Sequence, residues 1–228
     1  MALEVRGVYK RFTNPPTTVL HGIDLTIKDG EFVTIVGRSG SGKTTLLYIL
    51  STLDQPTEGT LLINGTDPNT LSVEELHRFR NENIGYVFQF HYLLPELTAL
   101  ENVLLPARKT DSHVKRTPYA LELLEAFGLK DKINRYPGQL SGGEQQRVAI
   151  ARALIMNPRY IFADEPTGNL DTANGQSVMS LLTKINRETG STLVLVTHEP
   201  EYAALAQREI RIVDGRIPRT EVESSVKI

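Results

Sequence analysis

The sequence predicts an α/β fold: a parallel-sheet core, an N-terminal antiparallel β lobe and an inserted α-helical subdomain. Three observations carry that prediction. First, Gly37-Arg38-Ser39-Gly40-Ser41-Gly42-Lys43-Thr44-Thr45 joins an apolar run at 32–36 to another at 46–50, in the order strand, glycine-rich turn, helix. Second, residues 160–163 and 193–196 are near-continuous apolar runs, the pattern of parallel strands buried on both faces. Third, the middle of the chain carries repeated helix-start signals.

Each element follows from its residues in turn. Leu3-Glu4-Val5-Arg6 and Ile23-Asp24-Leu25-Thr26-Ile27 alternate apolar and polar residues, as half-buried strands do. Asp29-Gly30 is expected to turn the chain as a hairpin into the strand that leads to Gly37. Leu61-Leu62-Ile63 followed by Asn64-Gly65 gives a second hairpin signal. Capping-box spacing at Ser72 with Glu75, and at Thr98 with Glu101, starts two helices. Residues 109–116 are polar and read as an exposed loop; Thr117-Pro118 then opens a helix that ends at Gly128. A helix with apolar Val148, Ala149, Ile150, Ala153 and Leu154 follows Ser141. Another spans roughly 174–188, and Asp214-Gly215 marks a closing hairpin.

The 228 residues suit one large domain or a core with inserted lobes. A net charge of -2 gives no general attraction to nucleic acid. The absence of cysteine excludes disulfides and thiolate metal sites, and fits a reducing compartment. The opening residues run straight into a strand pattern, unlike a signal peptide. No apolar stretch approaches the ~20 residues that span a bilayer. Work at a membrane would therefore need another chain to cross it. His21, His77, His91 and His113 lack metal-ligand spacing and read as surface or packing residues.

The chemistry concentrates in a few places. In the glycine-rich turn, Gly37, Gly40 and Gly42 let the backbone bend so that successive N–H groups, through Ser39 and Ser41, converge on phosphate oxygens, at the positive end of the following helix. Lys43 adds a full charge for the outer phosphates, and Thr44 a hydroxyl for magnesium. Asp164 and Glu165 end an apolar strand, where ligands of parallel sheets sit. Asp164 is placed to hold magnesium through water, and Glu165 to accept a proton from an attacking water or to orient it. Ser141 and Glu144 have capping-box spacing; the same hydroxyl and the glycines Gly142 and Gly143 also suit a second phosphate-binding helix end.

Taken in order, these motifs resemble those of the ATP-binding-cassette ATPase family, over nearly the whole chain. Residues 37–45, Thr45 included, correspond to the phosphate loop, and Gln89 to the lone glutamine after a strand. Residues 140–145 correspond to the signature and 160–165 to the acidic strand. Asn169-Leu170-Asp171 corresponds to the interfacial loop and His198 to the switch histidine. The resemblance implies a P-loop NTPase fold with a RecA-like core, acting on ATP with Mg2+. It implies one cassette over 1–228, with 1–89 and 158–228 as core and 90–157 as helical subdomain. It also implies a head-to-tail homodimer in which each ATP lies between one chain's phosphate loop and the other's Ser141, Gly142, Gly143 and Glu144. Glu165 would be the catalytic base, Gln89 would touch magnesium and water, His198 would hold the γ-phosphate and Asp171 would cross the interface.

Plainer roles stand beside these. Gln89 also suits a polar strand end, His198 and Asp171 suit helix caps, and Phe12 suits either adenine stacking or the core. Two departures from the family pattern, Glu144 for glutamine and Arg38 for proline, remove no essential group. The stretch 88–103 with Gly168-Asn169-Leu170-Asp171 resembles the branch of lipoprotein-releasing and macrolide-exporting ATPases, nearer the former. In the family the segment after the glutamine receives a helix from integral membrane permease subunits, which the resemblance implies at the cytoplasmic face of the inner membrane. Rival readings are a macrolide or peptide efflux ATPase, a cassette ATPase outside transport, and a soluble kinase or GTPase. The signature at 140–145 argues against the last, as does the absence of a guanine-specifying Asn-Lys-x-Asp.

Overall fold

In the computed structural model, which describes residues 2–218, the strands divide between two sheets. The antiparallel sheet has β1 (Ala2–Thr13) between β2 (Pro16–Lys28) and β4 (Glu58–Ile63). Leu3 lies directly across from Ile27 on one side and Ile63 on the other, so one apolar row crosses all three strands. The second sheet is parallel throughout, in the order β5 (Ile84–Val87), β6 (Tyr160–Asp164), β7 (Thr192–Val196), β3 (Phe32–Val36), β8 (Arg208–Arg211).

The parallel sheet separates two cores, and the two-residue period of its strands assigns side chains to them. Tyr160, Phe162, Val194 and Val196 join the antiparallel sheet and helix α1 (Lys43–Leu50) on one face. Ile161, Ala163, Leu193 and Leu195 face the opposite core. That core is shared with α3 (Ala99–Arg108), α4 (His113–Ala126), α5 (Gly142–Leu154) and α6 (Thr172–Thr189). Full burial of each such side chain contributes about 2 kcal/mol, so strands apolar on both faces are held from both sides. Helix α2 (Val73–Asn83), which has no fully buried residue but packs Phe79 against the first core, precedes β5, and the short α7 (Pro200–Ala203) follows β7. The capping boxes at Ser72 and Thr98 both form.

Three local expectations need correction. Asp29-Gly30 turns the chain but makes no hairpin, because β2 and β3 lie in different sheets. Residues 32–35 are buried throughout, so β3 needs cover on both faces and pairs in parallel with β7 and β8. Asp29 itself anchors the turn to β6, accepting from Arg159 at 2.6 Å and from the Tyr160 hydroxyl at 3.2 Å. Asn64-Gly65 and Asp214-Gly215 do form tight turns with both residues at positive φ. Each turn, however, returns only one bridging residue, Thr66 to Ile63 and Arg216 to Val213.

The third correction concerns α4, which starts at His113, so the loop is shorter than residues 109–116 and Pro118 lies inside the helix. The amide bond that Pro118 lacks would have gone to the carbonyl of Val114, a residue 75% exposed, where water can replace it.

Candidate active site

Parallel strands end at one edge of the sheet, and that edge collects the functional residues. Gln89 follows β5, Asp164 and Glu165 close β6, His198 follows β7, and the glycine-rich loop follows β3. Sheet order therefore sets the amide, the acids, the imidazole and the loop side by side. Beyond the loop, at the end of β8, a cavity of about 430 Å³ is lined by Gly37, Ser39, Ser41, Arg211 and Asp214 among others.

The loop is shaped to receive an anion. Gly42 caps α1 with φ 103°, and no side chain closes this helix end. A β-carbon at Gly42 would lie 2.9 Å from Leu20 Cδ2, so β2 presses directly on the loop. The first α-type bond of the helix runs from Leu46 N–H to Gly42 O at 2.9 Å, which leaves the earlier N–H groups for a ligand. Lys43 is only 8% exposed, and its Nζ donates to the Arg38 carbonyl at 3.1 Å. Ser41 Oγ is buried without a partner. A parked ammonium and an orphaned hydroxyl both fit a phosphate group.

On the neighbouring strand end, Thr44 Oγ1 donates to Asp164 Oδ1 at 3.2 Å. Burial pushes the Asp164 carboxyl above its ordinary range; the Thr44 bond opposes the rise and the Glu165 charge adds to it. Glu165 has φ +43°, a left-handed conformation that costs a non-glycine residue about 1–3 kcal/mol. Its N–H donates to Val196 O at 2.9 Å, which fixes this conformation between β6 and β7. His198 Nδ1 lies 3.4 Å from Glu165 Oε1. His198 does not cap α7; the cap position is Glu199, whose carboxylate accepts from the Thr167 hydroxyl at 2.7 Å. Gln89 packs against Gly168, and its carbonyl accepts from Asn169 Nδ2 at 3.1 Å.

The second helix end is closed. Ser141 Oγ accepts from Glu144 N–H at 3.3 Å, and the Glu144 carboxylate accepts from Ser141 N–H at 2.7 Å. That backbone bond is the main reason the Glu144 carboxyl lies below its ordinary range. Gly143 is fixed by packing, since a β-carbon there would fall 2.2 Å from Asn174 Oδ1 on α6. Asp171 caps α6, accepting from Asn174 N–H at 2.8 Å, and this bond lowers its carboxyl below the ordinary range. Phe12 is 44% exposed, which removes the core reading. It pairs with Thr17 on β2, two residues from Val19, whose carbonyl rests against Gly42. Its ring therefore sits on the strand pair that overlies the loop, with Lys10 Nζ 5.3 Å from the ring centroid.

Sequence reasoning missed three residues that hold the strip after β5. Gln146, fully buried on α5, donates to the carbonyls of Phe88 at 3.2 Å and Pro166 at 2.8 Å. Arg152 donates to the carbonyls of His91 at 2.7 Å and Tyr92 at 2.6 Å. Asn102, also fully buried, accepts from Leu94 N–H at 2.8 Å and donates to the carbonyls of Leu94, Leu97 and Thr98. Polar residues on otherwise apolar helix faces were the available signal. With the backbone held this way, Phe90, Tyr92 and Leu94 stay 60%, 63% and 46% exposed. Beside them lies a cavity of about 330 Å³ lined by Tyr86, Phe88, Tyr92, Pro106, Arg152 and Met156, among others. Among the described residues no cluster of His, Asp and Glu is arranged as a metal site of its own, and no helix is long and apolar enough to cross a membrane.

Fold and loop together define a P-loop NTPase. The ABC transporter family model matches residues 20–168, and the chain belongs to that family. It is 50% identical over 225 residues to the lipoprotein-releasing system ATP-binding protein LolD of Leptospira interrogans, covering 99% of this chain and 94% of that protein. It is 54% identical over 200 residues to the LolD of Aquifex aeolicus, covering 87% and 89% of the two chains. The dimeric structure of MJ0796, a bacterial ABC transporter cassette, superposes with a TM-score of 0.86 at 44% identity, covering 95% of this chain and 97% of that one. A second dimeric structure of MJ0796, in a post-hydrolysis state bound to ADP and Pi, gives a TM-score of 0.84 at 43% identity, with the same coverage. The chain is thus an ATP-binding and ATP-hydrolysing subunit of the LolD type.

Proposed function

We propose that two copies of this chain clasp two ATP molecules head to tail, and that the clasping drives a separate integral membrane subunit which extracts a lipoprotein. One observation carries the shared site. Ser141 and Gly142 are exposed at a helix end already satisfied by its own chain, a surface suited to another molecule's phosphates. That the MJ0796 cassettes are dimeric, one of them bound to ADP and Pi, supports a pairing of two copies.

In this reading the loop N–H groups and Ser41 receive the phosphates, and Lys43 leaves the Arg38 carbonyl for the outer ones. Thr45 extends the bare helix end. The partner's Ser141, Gly142, Gly143 and Glu144 complete the pocket and exclude bulk water. Thr44, Gln89 and, through water, Asp164 are hard oxygen donors that would hold Mg2+, whose charge offsets that of the phosphates. Glu165 takes the proton of the attacking water, which Gln89 orients, and His198 holds the γ-phosphate. Asp171 keeps its cap while reaching across the interface, and Phe12 stacks on adenine. Catalysis is mainly positioning and charge stabilisation, so a site completed only on closure ties turnover to motion.

The cassette is read as one domain over 1–228, with 1–89 and 158–228 as core and 90–157 as the helical part. The apolar side chains of 90–94 and the adjacent cavity suit a helix from the membrane subunit, at the cytoplasmic face of the inner membrane. Lipoprotein cargo follows from the names of the LolD relatives. ATPase rate measured against enzyme concentration tests the shared site. Second-order dependence at high dilution is expected; full activity per chain at extreme dilution contradicts it. Replacing Phe90 and Tyr92 by serine should abolish co-purification with the membrane subunit while ATP binding stays, and retained co-purification excludes this docking site.

A further inference from the structure

We propose that Gln146 is a positioning residue that makes each chain's hydrolytic residues respond to the nucleotide held by its partner. The inference rests on the shared-site reading above and adds the element that links the two sites. Gln146 lies three and four residues after Gly143 and Gly142, so it sits on the same face of α5 as the helix end that addresses the partner. It is fully buried, with one amide nitrogen shared between two backbone carbonyls. Phe88, at 3.2 Å, immediately precedes Gln89. Pro166, at 2.8 Å, immediately follows Glu165. The water-orienting amide and the base are thus tied, through their neighbours' backbone, to a single side chain. Its Oε1 is buried without a partner, so the amide is not held there by full hydrogen-bond satisfaction. A rigid helix drawn by the partner's phosphates moves its first turn and Gln146 together, and the two carbonyls follow.

Gln146→Met keeps the volume and removes both bonds. Purified variant and native chains are compared in steady-state ATPase assays, and the same substitution is placed on Glu165→Gln to measure ATP-driven dimerisation by light scattering. The expected result is kcat lower by ~10²-fold, KM for ATP within about threefold, weaker cooperativity in ATP, and undiminished dimerisation in the Glu165→Gln background. Turnover within twofold of native overturns the proposal, as does a rise in KM with kcat unchanged. If Gln146→Met does not fold, Gln146→Asn, one methylene short of both carbonyls, carries the same measurement. A Glu165→Gln chain that stays monomeric in ATP without any change at 146 refutes the shared site itself, a distinct outcome.

Discussion

The N-termini of α1 and α5 are both glycine-bearing helix ends assigned to phosphate, yet they are built in opposite ways. At α1 the cap is Gly42, no side chain closes the end, Lys43 rests on a carbonyl and Ser41 Oγ has no partner. At α5 the Ser141–Glu144 box satisfies the end from within. The difference assigns the ends different tasks. A bare end with a buried lysine is a preformed site that gains from any phosphate. A closed end costs nothing while the chain is alone, and contributes only when a second surface brings an anion to it. Primary affinity should therefore belong to α1, and dependence on a second copy to α5.

Substitutions at the two ends sharpen the contrast. Ser141→Arg should cut turnover by ~10³-fold, because charge stabilisation from the second chain is lost. ATP binding to the single chain, measured by calorimetry, should change by less than about twofold; normal cooperative turnover would erase the distinction. Lys43→Ala should weaken ATP binding by about a hundredfold, the scale of one charged hydrogen bond in a buried pocket. Unchanged affinity would mean that the bare helix end suffices without the ammonium.

Stability should show the reverse order. Glu144→Ala opens the box and should lower Tm by about 2 °C, with single-chain ATP affinity unaffected. Because the Glu144 carboxyl is held below its ordinary range, its contribution is present at neutral pH and disappears as pH falls through the folded value. The Tm gap to native should close on acidification. Asp164→Asn should raise the Tm of the ligand-free chain by about 1–2 °C at neutral pH, since a buried carboxylate is removed, while turnover is lost. Here the carboxyl lies above its ordinary range, so its penalty is full at neutral pH and fades as pH drops toward the unfolded value. A gap that widens in acid would contradict the assigned cause.

The same two helix ends show how much the sequence disclosed. Their motifs, the acid-ended strand and the apolar β6 and β7 were legible because each is a local pattern with one physical meaning. Gln146, Arg152 and Asn102 were not, since a polar residue on a helix reads as solvated until its backbone partners, as far as 61 residues away for Arg152, are folded against it. The Asp29-Gly30 turn was misjudged for a related reason. Turn chemistry says where a chain bends, whereas burial on both faces of β3 decides which sheet receives it. Pro118 misplaced the start of α4 because a proline one turn further in is tolerated where the lost bond faces water.

Static light scattering of the Glu165→Gln chain in saturating ATP tests the central claim most directly. Two chains joined by two nucleotides should double the measured mass, and adding Ser141→Arg should return it to that of one chain. Monomer mass throughout, with ATP bound, would contradict the account.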